Sequence, residues 1–181
     1  MSVSKSYKAM LVEMHGKTKW GTSGDRWSGH VQARIVASQA KTVLDYGCGH
    51  GTMKRSLQRA LPKLDVREFD PGIVGKDSPP EPADLVTCTD VLEHVEPDML
   101  DETLDALVAL ARRELFLVVS CRPANAVLPD GRNAHLIVEA PRWWLSQLER
   151  VCDGWTIILH APIESDSKTL AVSMVRGGKG D

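Results

Sequence analysis

Residues 42–52 read TVLDYGCGHGT, and the rest of the chain is organised around them. Val43 and Leu44 are β-favouring residues that end a buried strand. Asp45 follows, then glycines at alternate positions, Gly47, Gly49 and Gly51. Beyond them Met53, Leu57, Ala60 and Leu61 recur at helical spacing until Pro62 stops the run. The glycines therefore occupy a strand-to-helix turn. Glycine there permits positive φ and lets a ligand approach the backbone, and the helix N-terminus offers unpaired N–H groups. This is the layout of a nucleotide-type binding turn at the carboxyl end of a parallel strand. The GxGxG spacing is not the GxGxxG that cradles a dinucleotide pyrophosphate, and no GxxxxGK[ST] loop is present. Asp45, two places before the first glycine, suits a cationic or amine-bearing ligand better than a phosphate.

The run Val43 to Gly51 matches the pattern hh[DE]xGxGxG in full, and here the sequence resembles the class I S-adenosylmethionine-dependent methyltransferases. The resemblance implies that Asp45, Gly47, Cys48, Gly49 and Gly51 bind that cofactor. A second strand is expected over Asp65-Val66-Arg67-Glu68-Phe69, ending at Asp70, and Pro71 after it is a further cofactor-binding candidate. A carboxylate at that strand end can accept hydrogen bonds from ribose hydroxyls. The resemblance gives this role to Asp70, with Glu68 as the fallback. A further strand, Asp84 to Thr89, is continuous enough to be buried on both faces. It runs into Asp90-Val91-Leu92-Glu93-His94-Val95, which resembles the VLEH motif of small-molecule methyltransferases. The resemblance sets Asp90 beside the reacting methyl group and counts Asp90 and Val91 among the cofactor-binding residues. The absence of a DPPY or Pro-Cys motif there argues against amino-group and carbon-5 DNA methyltransferases.

The chain departs from the family between residues 71 and 83, PGIVGKDSPPEPA, with four prolines and two glycines. A helical crossover needs at least about 10–12 residues, so the family's third strand is expected to be missing or vestigial. The adenine would then rest on this loop, with Ile73 and Val74 packing on it and Asp77 accepting its amine.

The remaining elements frame this centre. Tyr7, Met10, Leu11 and Met14 mark a short helix with Ser4 or Ser6 as its cap. A polar segment to Trp27 follows, then a helix over about 28–40. Residues 1–41 are expected to form a helical lid, with Tyr7 and Trp20 over the cofactor or simply covering the core edge. Leu100, Leu104, Leu107, Val108 and Ala111 predict a helix with Arg112 and Arg113 near its end, and Glu114–Ser120 a central strand. The polar loop 121–135 hangs over the same rim, where Arg122, Arg132 and His135 are candidate substrate-binding groups. Pro141 opens a helix carrying Trp143 and Trp144, one expected in the core and one lining the site. Strands over 155–160 and 169–175 follow, joined by a hairpin-like turn at 165–168, the last antiparallel. A frayed tail begins at Gly177.

The 181 residues, 43% hydrophobic and 25% charged, fit one soluble domain. The fold class expected is a Rossmann-like, doubly wound α/β domain, its core at 42–176, with a mostly parallel sheet and an antiparallel strand near one edge. A net charge of −2 argues against a polymer-wide grip on nucleic acid. No membrane span or signal peptide is read, the four cysteines form no CxxC, and no metal site is expected. The expectation is a cytoplasmic methyltransferase acting on a small, anionic or hydroxyl-bearing molecule, with His135 or His94 as general base. The rivals are a nucleic-acid or nucleotide-modifying methyltransferase, gripping through Lys17, Lys19, Arg26, Arg122 and Arg132, and a non-catalytic cofactor- or partner-binding domain.

Overall fold

The computed structural model describes residues 3–17, 20–160 and 168–177. Lys19, most of the turn expected at 165–168, and the tail beyond Gly177 lie outside the described residues. Helix α1 (Lys5–Lys17) starts where Ser4 Oγ accepts the Tyr7 N–H at 3.2 Å, satisfying one of the free N-terminal donors. It buries Tyr7, Leu11, Met14 and His15. After a 3₁₀ turn at Gly24–Trp27, α2 (Ser28–Ser38) buries Val31 and Ile35. Six strands follow in the chain, with helices between some of them: β1 (Thr42–Tyr46), β2 (Asp65–Phe69), β3 (Ala83–Thr89), β4 (Ala111–Ser120), β5 (Trp155–Leu159) and β6 (Thr169–Arg176). Helices α3 (Thr52–Ala60), α4 (Leu100–Leu110) and α5 (Pro141–Glu149) complete the set.

The sheet order is β2-β1-β3-β4-β6-β5. Strands β1 to β4 are mutually parallel, and β6 is antiparallel to both β4 and β5. One apolar layer joins Val31, Ile35, Met53 and Leu57 of α2 and α3 to Val43, Leu85 and Phe116 of the sheet. The other joins Leu104 and Leu107 of α4 and Trp144 and Leu148 of α5 to Leu44, Val86 and Leu117. Alternate residues of a strand point to opposite faces, so the continuous apolar strands are buried on both sides. This is the doubly wound Rossmann-like α/β fold. No strand or helix occurs between residues 70 and 82, so the third strand is absent.

Two expectations change. Arg112 and Arg113 do not end α4; the chain turns at Ala111 straight into β4, which pairs with β3 from Ala83 onward. Arg113 instead donates to the carbonyls of Ser38 and Gln39, at the C-terminal end of α2, where a cation is favoured. Trp144 is fully buried, but Trp143 packs against the same core rather than against an open site. No helix among the described residues is long and apolar enough to cross a membrane.

Candidate functional site

The chain winds from β1 outward to β2, then returns past β1 to β3. The carboxyl ends of β1 and β3 therefore flank the point where strand order reverses, the usual crevice of such sheets. A cavity of about 580 Å³ opens there, within the range of small-ligand pockets. Its floor includes Asp45, Gly47, Cys48, Asp70, Pro71, Asp90, Val91 and Glu93. Its walls come from the N-terminal segment, with Tyr7, His15, Trp20 and Arg26, and from the loop after β4, with Arg122, Asn125 and His135.

Asp45, next to last in β1, is almost wholly buried at 3% exposure. Its register partner is Thr87, whose hydroxyl donates to Oδ1 at 3.4 Å. Oδ2 has no partner. Burial, with Glu68 alongside, pushes this carboxyl up to about 7. A buried carboxylate oxygen without a partner is costly, and an ammonium is the ligand group that would answer it.

Gly47 and Gly49 both have positive φ, 79° and 50°. A Cβ on Gly47 would collide with Val91, and one on Gly49 with the backbone of Gly21. The turn is thus glycine-rich first because the protein itself packs against it. The Gly21 carbonyl accepts the His50 N–H at 2.8 Å, laying residues 20–22 across the turn. Gly49 and Gly51 do not line the cavity, in contrast to the expectation that all three glycines face the ligand. Gly51 lies at the start of α3, against Glu68.

Asp70 is buried and fixes the turn. Oδ2 accepts the Gly49 N–H at 2.9 Å, Oδ1 the Gly72 N–H at 2.8 Å, and His15 Nε2 stands 3.6 Å from Oδ1. Burial alone would raise its carboxyl, but the hydrogen bond and charge of His15, with the two N–H groups, outweigh it and the net shift is downward. Asp90, one residue past β3, has φ of 55° and accepts the Trp27 Nε1–H at 2.7 Å. A non-glycine residue in this region is strained, and such strain gathers at functional sites. Burial raises its carboxyl despite the Trp27 bond.

His94 and His135 stand with ring centroids 4.7 Å apart, and Trp20 lies edge-on to His94 at 4.6 Å. His94 Nδ1 is 2.7 Å from the Ala134 carbonyl, and His135 Nδ1 contacts the Arg122 carbonyl. A carbonyl can only accept, so each Nδ1 donates and each Nε2 keeps its lone pair. Burial pushes His94 down to about 4 and lowers the half-buried His135 as well. Tyr7 donates its hydroxyl to the His94 carbonyl at 2.6 Å, and Ser4 donates to Glu96, clamping α1 over the rim.

Other expected groups fall elsewhere. Arg132 is outside the cavity lining, held by Asp130 at 2.7 Å on the exposed side of its loop. Glu68 pairs with Lys76 and Lys54 rather than facing the cavity. Val74 is 87% exposed, Asp77 is taken by Lys8, and neither they nor Ile73 line the cavity. With no third strand to press it inward, this loop turns its apolar tip to solvent, and Pro71 alone of its residues reaches the cavity. Of the basic set, Arg26 and Arg122 line the cavity, whereas Lys17 pairs with Glu13.

Sequence reasoning misses three ionisable lining groups as parts of the site. His15 continues the Tyr7 and Leu11 face at helical spacing but reads as the start of the polar segment that follows. Arg26 enters only as part of a nucleic-acid-gripping rim. Glu93, fully buried, accepts the Ser120 N–H through Oε1 at 3.0 Å and leaves Oε2 without a partner. Burial, then the charge of Asp90, pushes it up to about 8. Its only sequence signal is its position beside His94 in the VLEH run.

A protein-family model described as a methyltransferase domain matches residues 24–156. No curated protein matches the chain in sequence. Among solved structures, the chain is similar to Burkholderia thailandensis 1,6-didemethyltoxoflavin-N1-methyltransferase with bound 1,6-didemethyltoxoflavin and S-adenosylhomocysteine. The identity is 17% and the TM-score 0.63, covering 97% of this chain and 91% of that one. It is similar to human N-acetylserotonin methyltransferase in complex with SAM, at 13% identity and a TM-score of 0.59, covering 98% and 60%. It is also similar to an O-methyltransferase family protein from Burkholderia thailandensis, at 15% identity and a TM-score of 0.56, covering 87% and 59%. The chain thus spans about three-fifths of the length of the last two. At these identities the likeness is one of fold.

Proposed function

Because the chain belongs to the methyltransferase-domain family, we propose that it uses S-adenosylmethionine to methylate a small, anionic or hydroxyl-bearing molecule. The observation that carries this is Asp45: a buried carboxylate at the rim of β1 with Oδ2 unpartnered beside the glycine turn. That arrangement fits the ammonium of the cofactor's methionyl group. Bound there, the cofactor supplies a methyl group on a sulfonium, an electrophile with a leaving group already in place. Asp70, steadied by Gly49 and Gly72, offers its remaining lone pairs to ribose hydroxyls. Tyr7 and Trp20 cover the rim and exclude water.

Arg26 and Arg122 give the open side of the cavity positive charge, which favours an anionic acceptor. His135 is the better general base of the two histidines, since His94, pushed down to about 4, holds a proton too weakly near neutral pH. The small-molecule names of two structural neighbours, the toxoflavin N1- and N-acetylserotonin methyltransferases, support a small acceptor without naming its charge. The test is calorimetry with S-adenosylhomocysteine, followed by transfer of labelled methyl to a metabolite pool. Micromolar binding and labelling insensitive to salt are expected. Failure of S-adenosylhomocysteine to bind refutes the reading, and labelling that collapses as salt rises transfers it to a nucleic-acid acceptor.

A further inference from the structure

Glu93, His94 and His135 each offer one ligand atom to the cavity, and these atoms lie within 4.8 Å of one another. Three features distinguish the cluster from a chance gathering of polar groups. First, Glu93 is wholly buried and its Oε2 has no hydrogen-bond partner. Second, both histidines donate Nδ1–H to backbone carbonyls, of Ala134 and Arg122. That second bond fixes the tautomer and ring orientation and leaves Nε2 bare, as in metal-ligating histidines. Third, Oε1 of Glu93 is itself held by the Ser120 N–H, so the carboxylate is oriented before anything binds. Asp90 lines the same cavity and brings a further carboxyl group to it.

We infer that Glu93, His94 and His135 form a binding site for one divalent first-row cation. Two imidazoles and a carboxylate favour manganese, iron, cobalt or zinc over magnesium or calcium. Ligands about 2.1 Å from one ion stand roughly 3–3.4 Å apart, so separations of up to 4.8 Å close by at most about 1.4–1.8 Å on binding. His135 is half-buried on the loop after β4, outside the apolar core, so a shift of this loop is the movement that closes the cluster. This departs from the sequence expectation of no metal, which rests on the absence of clustered cysteines and cannot see three residues brought together from two loops. On the methyl-transfer reading of the cavity, and resting on it, the ion selects an acceptor that presents oxygen ligands. Both Nε2 lone pairs are then spent on the ion; a hydroxyl ligated to it is more acidic and gives its proton to solvent, and the resulting oxygen attacks the sulfonium methyl as the thioether leaves. Binding of the ion itself does not depend on that reading.

The test is titration of chelator-treated protein with Co²⁺, read by the visible d–d absorption, with S-adenosylhomocysteine calorimetry on the same sample. One equivalent is expected to bind, displaceable by Zn²⁺, at least tenfold more weakly in both Glu93→Gln and His135→Ala. Glu93→Gln keeps an oxygen for the Ser120 N–H, and His135 sits on a loop, so both variants should fold. No stoichiometric band in the wild type, or unchanged affinity in both variants, overturns the inference. If S-adenosylhomocysteine binds and Co²⁺ does not, the cation site falls and the methyl-transfer reading stands. If Co²⁺ binds and S-adenosylhomocysteine does not, the cation site stands and the methyl-transfer reading falls.

Discussion

Asp45→Asn separates stability from binding at a single atom. In the free protein the carboxyl is pushed up from 3.8 to about 7, by burial first and then by Glu68, with a smaller push from Asp70; Thr87 and Lys76 oppose it. Because the folded state holds the proton more tightly than the unfolded chain, stability falls as pH rises from about 4 to about 7. Above 7 the penalty is complete, at most about 4 kcal/mol for a shift of about three units. Asparagine carries no charge and keeps an oxygen for Thr87, although its amide N–H₂ then lacks partners. The free variant should therefore be more stable than wild type at pH 8, by about 1–3 kcal/mol, and nearly equal at pH 4. Binding should move the other way. Loss of a charge-assisted bond to the ligand ammonium costs about 1.5–3 kcal/mol, or roughly 10- to 150-fold in S-adenosylhomocysteine affinity. Wild-type affinity should weaken about tenfold per pH unit below 7, since Asp45 must first lose its proton, while the variant stays flatter. Urea melts and calorimetry between pH 5.5 and 8 read both effects. Equal affinity and equal pH slopes in the two proteins would refute the assignment of Asp45 to the ammonium.

Gly49→Ala should force residues 20–22 off the turn and lower stability by about 2–3 kcal/mol, read as a fall in melting temperature with weaker S-adenosylhomocysteine binding. Gly131→Ala, at φ of 88° with open space around it, should cost only about 1 kcal/mol of backbone strain. Arg34→Ala strands the buried Glu114, which Arg34 grips through two nitrogens and Ser173 through its hydroxyl. A loss of about 3 kcal/mol in urea unfolding is expected. S-adenosylhomocysteine affinity should hold, because Glu114 lies at the far end of β4 from the cavity. Tyr7→Phe removes the bond to the His94 carbonyl, worth about 1 kcal/mol, and should speed S-adenosylhomocysteine release in stopped-flow measurements.

The parts of the fold that are legible in the sequence are those set by local periodicity. Val43 to Tyr46, the glycine turn and Met53 to Leu57 announce strand, turn and helix in one short run, and the prolines of 71–82 announce a missing strand. What escapes is set by contacts distant in the chain. Nothing local says that Gly21 lies on Gly49, so the glycines read as space for a ligand. Arg132 looks like a substrate arm because Asp130, two residues away, reads only as part of a turn. Glu93 looks like motif filler because only tertiary burial leaves Oε2 without a partner. Asp70 is expected at its strand end and is there, but its hold on Gly49 and Gly72 depends on how the 70–76 loop folds back.

The order in which the strands are synthesised disagrees with the order in which they stand. β6 emerges after β5 yet occupies the gap between β5 and β4. Until those eight residues arrive, β5 has no neighbour to zip against and β4 exposes a raw margin of amides and carbonyls from Glu114 to Ser120. This side of the sheet is therefore completed last: β6 must reach the β4 edge, alone or already paired with β5, before the sheet is closed. Aggregation during expression should therefore be governed by how quickly residues 169–176 dock, and solubilising changes belong on that strand's approach rather than near the cavity.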